Sequence, residues 1–99
     1  MKQDAFLYKI KLAVLAYDAD ALVVLYGSRA RNEAKEDSDW DILILTSKKL
    51  DYKLENSLRD RIYDIEFEYV QPISTMIIDK ESWNNWEVMP LHKMLPWKV

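Results

Sequence analysis

The sequence of 99 residues has no cysteine, only one glycine and no long apolar run. Without cysteine the chain can form neither a disulfide framework nor a thiolate metal site, which is compatible with a reducing cytoplasm. The longest purely apolar run, residues 21–26, is far shorter than the roughly 20 residues that span a bilayer. The first residues show no basic flank followed by an apolar stretch, so we expect no signal peptide and a cytoplasmic protein.

The chain also lacks net positive charge. Its formal net charge of −3 argues against broad contact with a nucleic-acid backbone. Apolar residues make up 49% and charged residues 31%, so the chain can build a core and does not have the composition of a disordered segment. The length suits one unit, and we therefore predict a single domain over residues 1–99.

Apolar periodicity predicts alternating helices and strands. Helical spacing over residues 4–17 predicts a first helix, and the apolar segments 21–26, 39–46 and 73–78 predict three strands. The polar segment 27–37 predicts a turn that leads into a short helix. These elements predict an α/β protein with a small mixed β-sheet of about three core strands flanked by helices.

Residues 51–70 allow two interpretations. Residues 64–69 alternate like a half-exposed strand, but the longer window places an apolar residue at every third or fourth position, which favours a helix. After the third strand, Asp79 can cap a short helix with Trp83 and Trp86 on one side, and the tail is expected to be irregular. Trp83, Trp86 and Trp97 either cover one end of the core or form an interface.

The single glycine lies where a strand is predicted to meet a turn. Gly27 and Ser28 follow a buried strand and precede a predicted helix, whose free amides can receive a phosphate. Glycine allows close approach to the backbone, and a serine hydroxyl adds a donor. Arg29 and Arg31 follow, and their guanidinium groups can reach phosphate oxygens. An ordinary strand-to-helix turn is the alternative for this segment taken alone.

Two aspartates open the second predicted strand. Asp39 and Asp41 are two residues apart, which on a strand puts both carboxylates on one face with Cα atoms roughly 6.5 Å apart. Carboxylates this close repel each other unless a cation lies between them. Mg²⁺ suits such a pair, because it binds one or two carboxylates together with substrate phosphates. A solvated pair at the start of a strand is the alternative.

The combined pattern of Gly27-Ser28, ten intervening residues and Asp39-x-Asp41 resembles the signature of the DNA polymerase β-like nucleotidyltransferase superfamily. The fuller string, with Arg29, Arg31 and Ser38, looks like the minimal (MNT-type) nucleotidyltransferases. This resemblance implies a nucleotidyltransferase fold, two Mg²⁺ ions held by the aspartates, and transfer of a nucleoside monophosphate from an NTP to a hydroxyl.

The resemblance also implies roles and partners. Gly27 and Ser28 would contact the triphosphate, with Arg29, Arg31 and Ser38 as supporting contacts. Small proteins of this type resemble antitoxins paired with HEPN-domain ribonuclease toxins, and some of them transfer AMP from ATP to a tyrosine of the toxin. A homo- or hetero-oligomer is compatible with this role.

The family pattern includes a third carboxylate on a later strand, which helps to deprotonate the attacking hydroxyl. If residues 73–78 form that strand, the matching position falls near Ser74, which is not an acid. If residues 64–69 form it, Glu66 and Glu68 are candidates together with Asp64.

Three functions follow from this resemblance. The first is AMP transfer onto a hydroxyl of a partner protein, as the antitoxin of a HEPN/MNT pair. The second is a binding module that neutralises its partner by contact alone. The third is a nucleotide-binding subunit of a small-molecule nucleotidyltransferase, whose acceptor-binding half lies on another chain. The single histidine, His92, fits a surface or partner contact better than a catalytic role.

Overall fold

The computed structural model describes residues 3–27, 38–84 and 97–98. Within these residues there are three helices, α1 (Gln3–Leu15), α2 (Tyr52–Tyr69) and α3 (Lys80–Asn84), and four strands, β1 (Leu22–Tyr26), β2 (Trp40–Thr46), β3 (Ile73–Asp79) and β4 (Trp97–Lys98). The α/β class is confirmed. The predicted helix within residues 28–37, together with Trp86 and His92, lies outside the described residues.

The four strands form one mixed sheet in the order β3-β2-β1-β4. Strand β2 runs parallel to β3 and antiparallel to β1, and β1 is also antiparallel to β4. The expectation of an irregular tail is wrong at Trp97 and Lys98, which pair with Leu25 and Val24. Two residues are too few to show an apolar period, and backbone pairing to the edge of β1 decides their conformation instead.

Each face of the sheet has its own core. On one face α1 and α2 pack against the sheet, and the largest buried cluster includes Phe6, Ile10, Val14, Val23, Leu25, Trp40, Ile42, Ile44, Leu58, Ile62, Ile65 and Ile77. On the other face Trp83 of α3 packs with Val24, Leu43 and Leu45. The interpretation of Trp83 as a core residue is therefore confirmed. Strand β1 is buried on both faces, as its continuous apolar sequence predicts.

The helical interpretation of residues 51–70 is confirmed. Asp51 caps α2, because its carboxylate accepts a hydrogen bond from the Leu54 N–H at 2.7 Å. The side chains of Leu58, Ile62 and Ile65 are buried, so the apolar stripe faces the sheet and outweighs the short alternating segment. None of the helices in the described part of the chain is both long and apolar enough to cross a bilayer.

The turns at the opposite ends of β1 and β2 from Gly27 are joined by a buried carboxylate. Asp18 is 2% exposed and accepts hydrogen bonds from the N–H of Ser47 at 2.7 Å, its hydroxyl at 2.5 Å and the N–H of Asp20 at 3.2 Å. Burial raises the pKa of Asp18, but the hydrogen bonds from Ser47 and Asp20 outweigh it and keep the pKa below its ordinary value. This carboxylate therefore stabilises the sheet in its ionised form.

The short helix α3 begins at the predicted cap. The Asp79 carboxylate accepts hydrogen bonds from the Ser82 N–H at 2.7 Å and the Ser82 hydroxyl at 3.1 Å. These bonds lower the pKa of Asp79. The cap turns the chain at the end of β3 and brings Trp83 onto the sheet.

Candidate active site

The antiparallel pairing of β1 and β2 brings Gly27 against Asp41. Tyr26 is the cross-strand partner of Asp41, and Gly27 is the next residue along the chain. Gly27 has a φ of 73°, a left-handed conformation that favours glycine. A Cβ placed on Gly27 would overlap the Asp41 Oδ2 atom and would lie 3.0 Å from its Cγ. The Asp41 side chain therefore occupies the space that any other residue at position 27 would need.

Gly27 is thus required for two local reasons that the sequence did not reveal. Its backbone conformation disfavours a side chain, and the Asp41 carboxylate fills the space beside it. The predicted role in phosphate approach remains a prediction. The geometry places the Asp41 carboxylate, itself a predicted metal ligand, directly beside this turn.

Trp40, which lies between the two aspartates, is firmly anchored. Its side chain is 2% exposed, and its indole Nε1–H donates to the Gln71 Oε1 atom at 3.0 Å. Its backbone N–H donates to the Pro72 carbonyl at 2.9 Å. Asp39 directly precedes β2 and is exposed, whereas Asp41 is half-buried within it. The anchored tryptophan therefore fixes the backbone from which both carboxylates extend.

Asp41 lies on the sheet face opposite to α1 and α2. Its neighbours Trp40 and Ile42 belong to the core beneath the helices, and side chains alternate along a strand. Tyr26 shares the face of Asp41, and burial, followed by the negative charge of Asp41, raises the pKa of its phenol. Tyr26 is thus a protonated hydroxyl beside a carboxylate at neutral pH.

The parallel pairing of β2 and β3 puts Ser74 beside Asp41. The two residues are register partners, so they occupy equivalent positions on adjacent strands, and Ser74 is exposed. Strand β3 occupies residues 73–78, so Ser74 lies where the third carboxylate of the family pattern is expected. A neutral hydroxyl therefore stands beside Asp41 on this strand.

Glu66 and Glu68 lie on α2, because residues 64–69 are helical and not a strand. The Glu66 carboxylate accepts a hydrogen bond from the Ile73 N–H at 2.6 Å and so fixes the turn into β3. The Glu68 carboxylate lies 3.9 Å from the ammonium of Lys9 on α1. Since α2 packs on the face opposite to Asp41, the structure does not bring either glutamate to the aspartate pair.

The two aspartates offer carboxylate oxygens to a divalent cation. Within residues 3–27, 38–84 and 97–98, no three His, Cys, Asp or Glu side chains cluster as a complete metal site. Two carboxylates are still enough for Mg²⁺, because this ion takes its remaining ligands from water and substrate phosphates. The oxygen donors of Asp39 and Asp41, beside a glycine without a side chain, fit an ion shared with a nucleotide.

The other predicted contacts are only partly described. Ser38 is half-buried and directly precedes Asp39. Ser28, Arg29 and Arg31 lie outside the described residues, so their predicted phosphate contacts remain predictions.

The sequence reasoning missed two residues of this site, Tyr26 and Trp40. Both directly adjoin a motif residue, and this adjacency was the available signal. A tyrosine before Gly27 and a tryptophan between two aspartates are larger than a plain apolar strand requires. Their partners, Asp41 for Tyr26 and Gln71 for Trp40, depend on strand register and on the α2–β3 turn, which the local pattern does not contain.

A model of the nucleotidyltransferase domain family matches residues 7–93, which include all of the elements from β1 to α3. A comparison with curated protein sequences found no match.

Proposed function

We propose that this chain, which belongs to the nucleotidyltransferase domain family, transfers AMP from ATP to a hydroxyl of a partner protein. The family supports nucleotidyl transfer in general. The choice of ATP, Mg²⁺ as the ion and a protein acceptor of the HEPN type are part of the proposal. They rest on the likeness of the Gly27-Ser28 to Asp39-x-Asp41 string to the minimal nucleotidyltransferases.

The observation that carries the proposal is the contact between Gly27 and Asp41. A nucleotidyl transfer site must hold the triphosphate and the metal-binding carboxylates within one ligand's length. The β1–β2 register brings the predicted phosphate-binding turn directly against one of those carboxylates. An ATP molecule whose phosphates reach Gly27 would therefore also reach Asp41.

In this mechanism the described residues would bind the metal ion, position its ligands and present a hydroxyl. Asp39 and Asp41 would hold Mg²⁺, which when bound neutralises phosphate charge and favours displacement at phosphorus. Trp40 positions both carboxylates through its bonds to Gln71 and Pro72. Tyr26 presents a protonated hydroxyl beside Asp41.

The reaction itself is a displacement. The acceptor oxygen bonds to the α-phosphorus, the bond from that phosphorus to the bridging oxygen breaks, and pyrophosphate leaves. The acceptor hydroxyl passes its proton to solvent water or hydroxide. Ser74, the register partner of Asp41, is neutral and cannot accept this proton as a carboxylate would. We therefore expect slow transfer that becomes faster as pH approaches the pKa of a tyrosine acceptor, near 10.

The test is incubation of the chain with α-labelled ATP, Mg²⁺ and a purified HEPN-type protein encoded beside it. Label should appear on that protein, and Asp39→Asn or Asp41→Asn should abolish it. Asp20→Asn is the matched control, because it also removes an exposed carboxylate but lies just before β1, at the other end of that strand from Gly27. Loss of label in all three variants, or in none, would contradict the assigned site.

A second function, neutralisation by contact alone, is favoured by Ser74. A neutral residue beside Asp41 suits a site that binds nucleotide without efficient transfer. A chain carrying both Asp39→Asn and Asp41→Asn distinguishes the two functions. If it still neutralises the HEPN-type protein completely in growing cells, contact is sufficient and transfer is not the source of protection.

A further inference from the structure

The outer face of α2 carries an exposed apolar stripe. Tyr63, Phe67 and Val70 are 65%, 79% and 83% exposed and follow one another at steps of four and three, so they line one side of the helix end. We call these three residues the α2 stripe. Together they expose roughly 400 Å² of side chain, a size at which an apolar patch on a small protein is often a contact site.

Val70 adds backbone strain at one end of the stripe. It ends α2 in the left-handed conformation, with φ 53° and ψ 45°, where glycine or asparagine is usual. A β-branched side chain is strained in this conformation. At 83% exposure, Val70 gains little from burial in return. Strained backbone of this kind clusters at functional sites and ligand contacts, which makes Val70 a candidate contact residue.

The stripe leads to the end of the sheet that carries the aspartates. Val70 is followed by the turn into β3, whose first two residues pair with Trp40 and Asp41. The Pro72 carbonyl in this turn accepts the hydrogen bond from the Trp40 N–H. Strand β3 is the outer strand on this side of the described sheet. A protein docked on the stripe would therefore lie at the β3 edge, and a segment of it would have to pass around β3 to reach Asp41 on the opposite face of the sheet.

The excess of acidic over basic side chains in this chain lies in and around α2. Residues 51–70 contain six acidic and three basic side chains, a net charge of −3 that equals the net charge of the whole chain. The last turn of α2 has no basic residue, and the carbonyl end of a helix adds a partial negative charge. Two of the acidic side chains near the stripe are ion-paired, Asp64 with Arg61 and Glu68 with Lys9, and the remaining acidic side chains together with the helix end leave the surroundings of the stripe negative.

These charges favour one kind of binding partner for the stripe over another. A second copy would bring an equally acidic helix against the stripe, and like charges oppose that pairing. A segment with apolar residues flanked by lysine or arginine meets complementary charge instead. Its cations can also stack on Tyr63 and Phe67, since both rings are exposed.

We propose that the α2 stripe is the docking surface for the acceptor protein, which contacts it through apolar residues flanked by basic ones. This inference rests on the proposed function for the identity of the occupant. It adds the recognition surface, the chemistry of the segment bound there, and the way in which the acceptor hydroxyl is brought to the aspartate end of the sheet.

Binding is measured first without ATP or Mg²⁺, so that it does not depend on transfer. The probes are two labelled helical peptides with the same leucine seam, one flanked by lysines and the other by glutamates. We expect the lysine peptide to bind about tenfold or more tightly than the glutamate peptide, and Phe67→Ser to weaken it by about tenfold. Tyr8→Ser, which removes another exposed aromatic ring from α1, should leave its affinity unchanged.

The docking surface is overturned if the two peptides bind equally or if neither binds. It is also overturned if Phe67→Ser and Tyr8→Ser have equal effects. Sedimentation of the chain alone provides a further test, because self-association abolished by Phe67→Ser would identify a second copy as the occupant and also overturn it.

In the transfer assay, Phe67→Ser should raise the KM for the acceptor protein by about tenfold and leave the KM for ATP unchanged. An unchanged acceptor KM contradicts docking. If the unmodified chain transfers nothing, the proposed function fails, while the peptide measurements still decide the docking surface.

Discussion

Replacing Gly27 with alanine tests whether the Asp41 side chain is what requires a glycine at this position. Alanine at φ 73° costs about 1–2 kcal/mol in backbone strain. About 0.4–1 kcal/mol of this is offset, because alanine also restricts the unfolded chain. The backbone alone therefore accounts for a loss of about 1 kcal/mol.

The close contact adds a second cost. The new Cβ would overlap Asp41 Oδ2 and lie 3.0 Å from Cγ, so the half-buried carboxylate has to rotate away. Overpacking costs about 1–3 kcal/mol in general, and a half-buried carboxylate that can rotate lies in the lower part of that range, at about 1–2 kcal/mol. We expect Gly27→Ala to lower the free energy of unfolding by about 2–3 kcal/mol in the natural sequence. With Asp41→Ala already present, the loss should shrink to about 1 kcal/mol.

The assay is a double-mutant cycle on four proteins, unfolded in urea at pH 7 and followed by tryptophan fluorescence. The m values should agree, so that the midpoints report stability. The contact predicts a coupling of about 1–2 kcal/mol between the two positions. A coupling below about 0.5 kcal/mol would refute the reasoning, since independent sites are additive to that accuracy.

Three further predictions concern stability. Asp18→Asn should cost about 2 kcal/mol at pH 7, because it weakens the charge-assisted bonds from Ser47. The folded pKa of Asp18 lies below its unfolded value, so its stabilisation is present above about pH 4 and is lost as pH falls through the folded pKa. The urea midpoints of Asp18→Asn and the unmodified chain should therefore converge in acid and stay apart above about pH 5. Trp40→Phe removes the bond to Gln71 and should lower the free energy of unfolding by about 1–3 kcal/mol, and an unchanged urea midpoint would show that this bond does not anchor β2. Val70→Asn should raise thermal stability by about 1 kcal/mol because asparagine tolerates the left-handed conformation, whereas a lower Tm would show that valine is not strained there.

The sequence predicted the fold well wherever a long apolar period was present. In α2 the stripe through Leu58, Ile62 and Ile65 outweighed the alternating segment near its end, because five turns of one face bury more surface than six residues of a half-exposed strand. Strand β4 was missed for the opposite reason. Its two residues pair with β1 through the backbone, and pairing of this kind leaves no pattern in the side chains.

The candidate site could be predicted in its parts but not in its assembly. Spacing identified Gly27, Asp39 and Asp41 as related residues. The contact between Gly27 and the Asp41 side chain, and the placement of Ser74 beside Asp41, follow from the register of three strands. Register depends on which residues pair across the sheet, and a local window of sequence does not contain that information.

The docking role of the α2 stripe could likewise not be predicted from a local window of sequence. Tyr63, Phe67 and Val70 are apolar residues on a helix that already has a buried face, so periodicity alone assigns them no role. Their significance comes from the strained end of α2 and from the β3 register that leads from it to Asp41.

The central claim is that Asp41, held against Gly27, binds the metal-bound form of a nucleotide. Isothermal titration of ATP into the chain tests it most directly, with and without Mg²⁺ and without any acceptor. We predict binding that requires Mg²⁺ and that Asp41→Asn weakens by roughly tenfold or more, with Asp20→Asn binding as the natural sequence does. Binding that is equally strong without Mg²⁺, or unchanged by Asp41→Asn, would contradict the account.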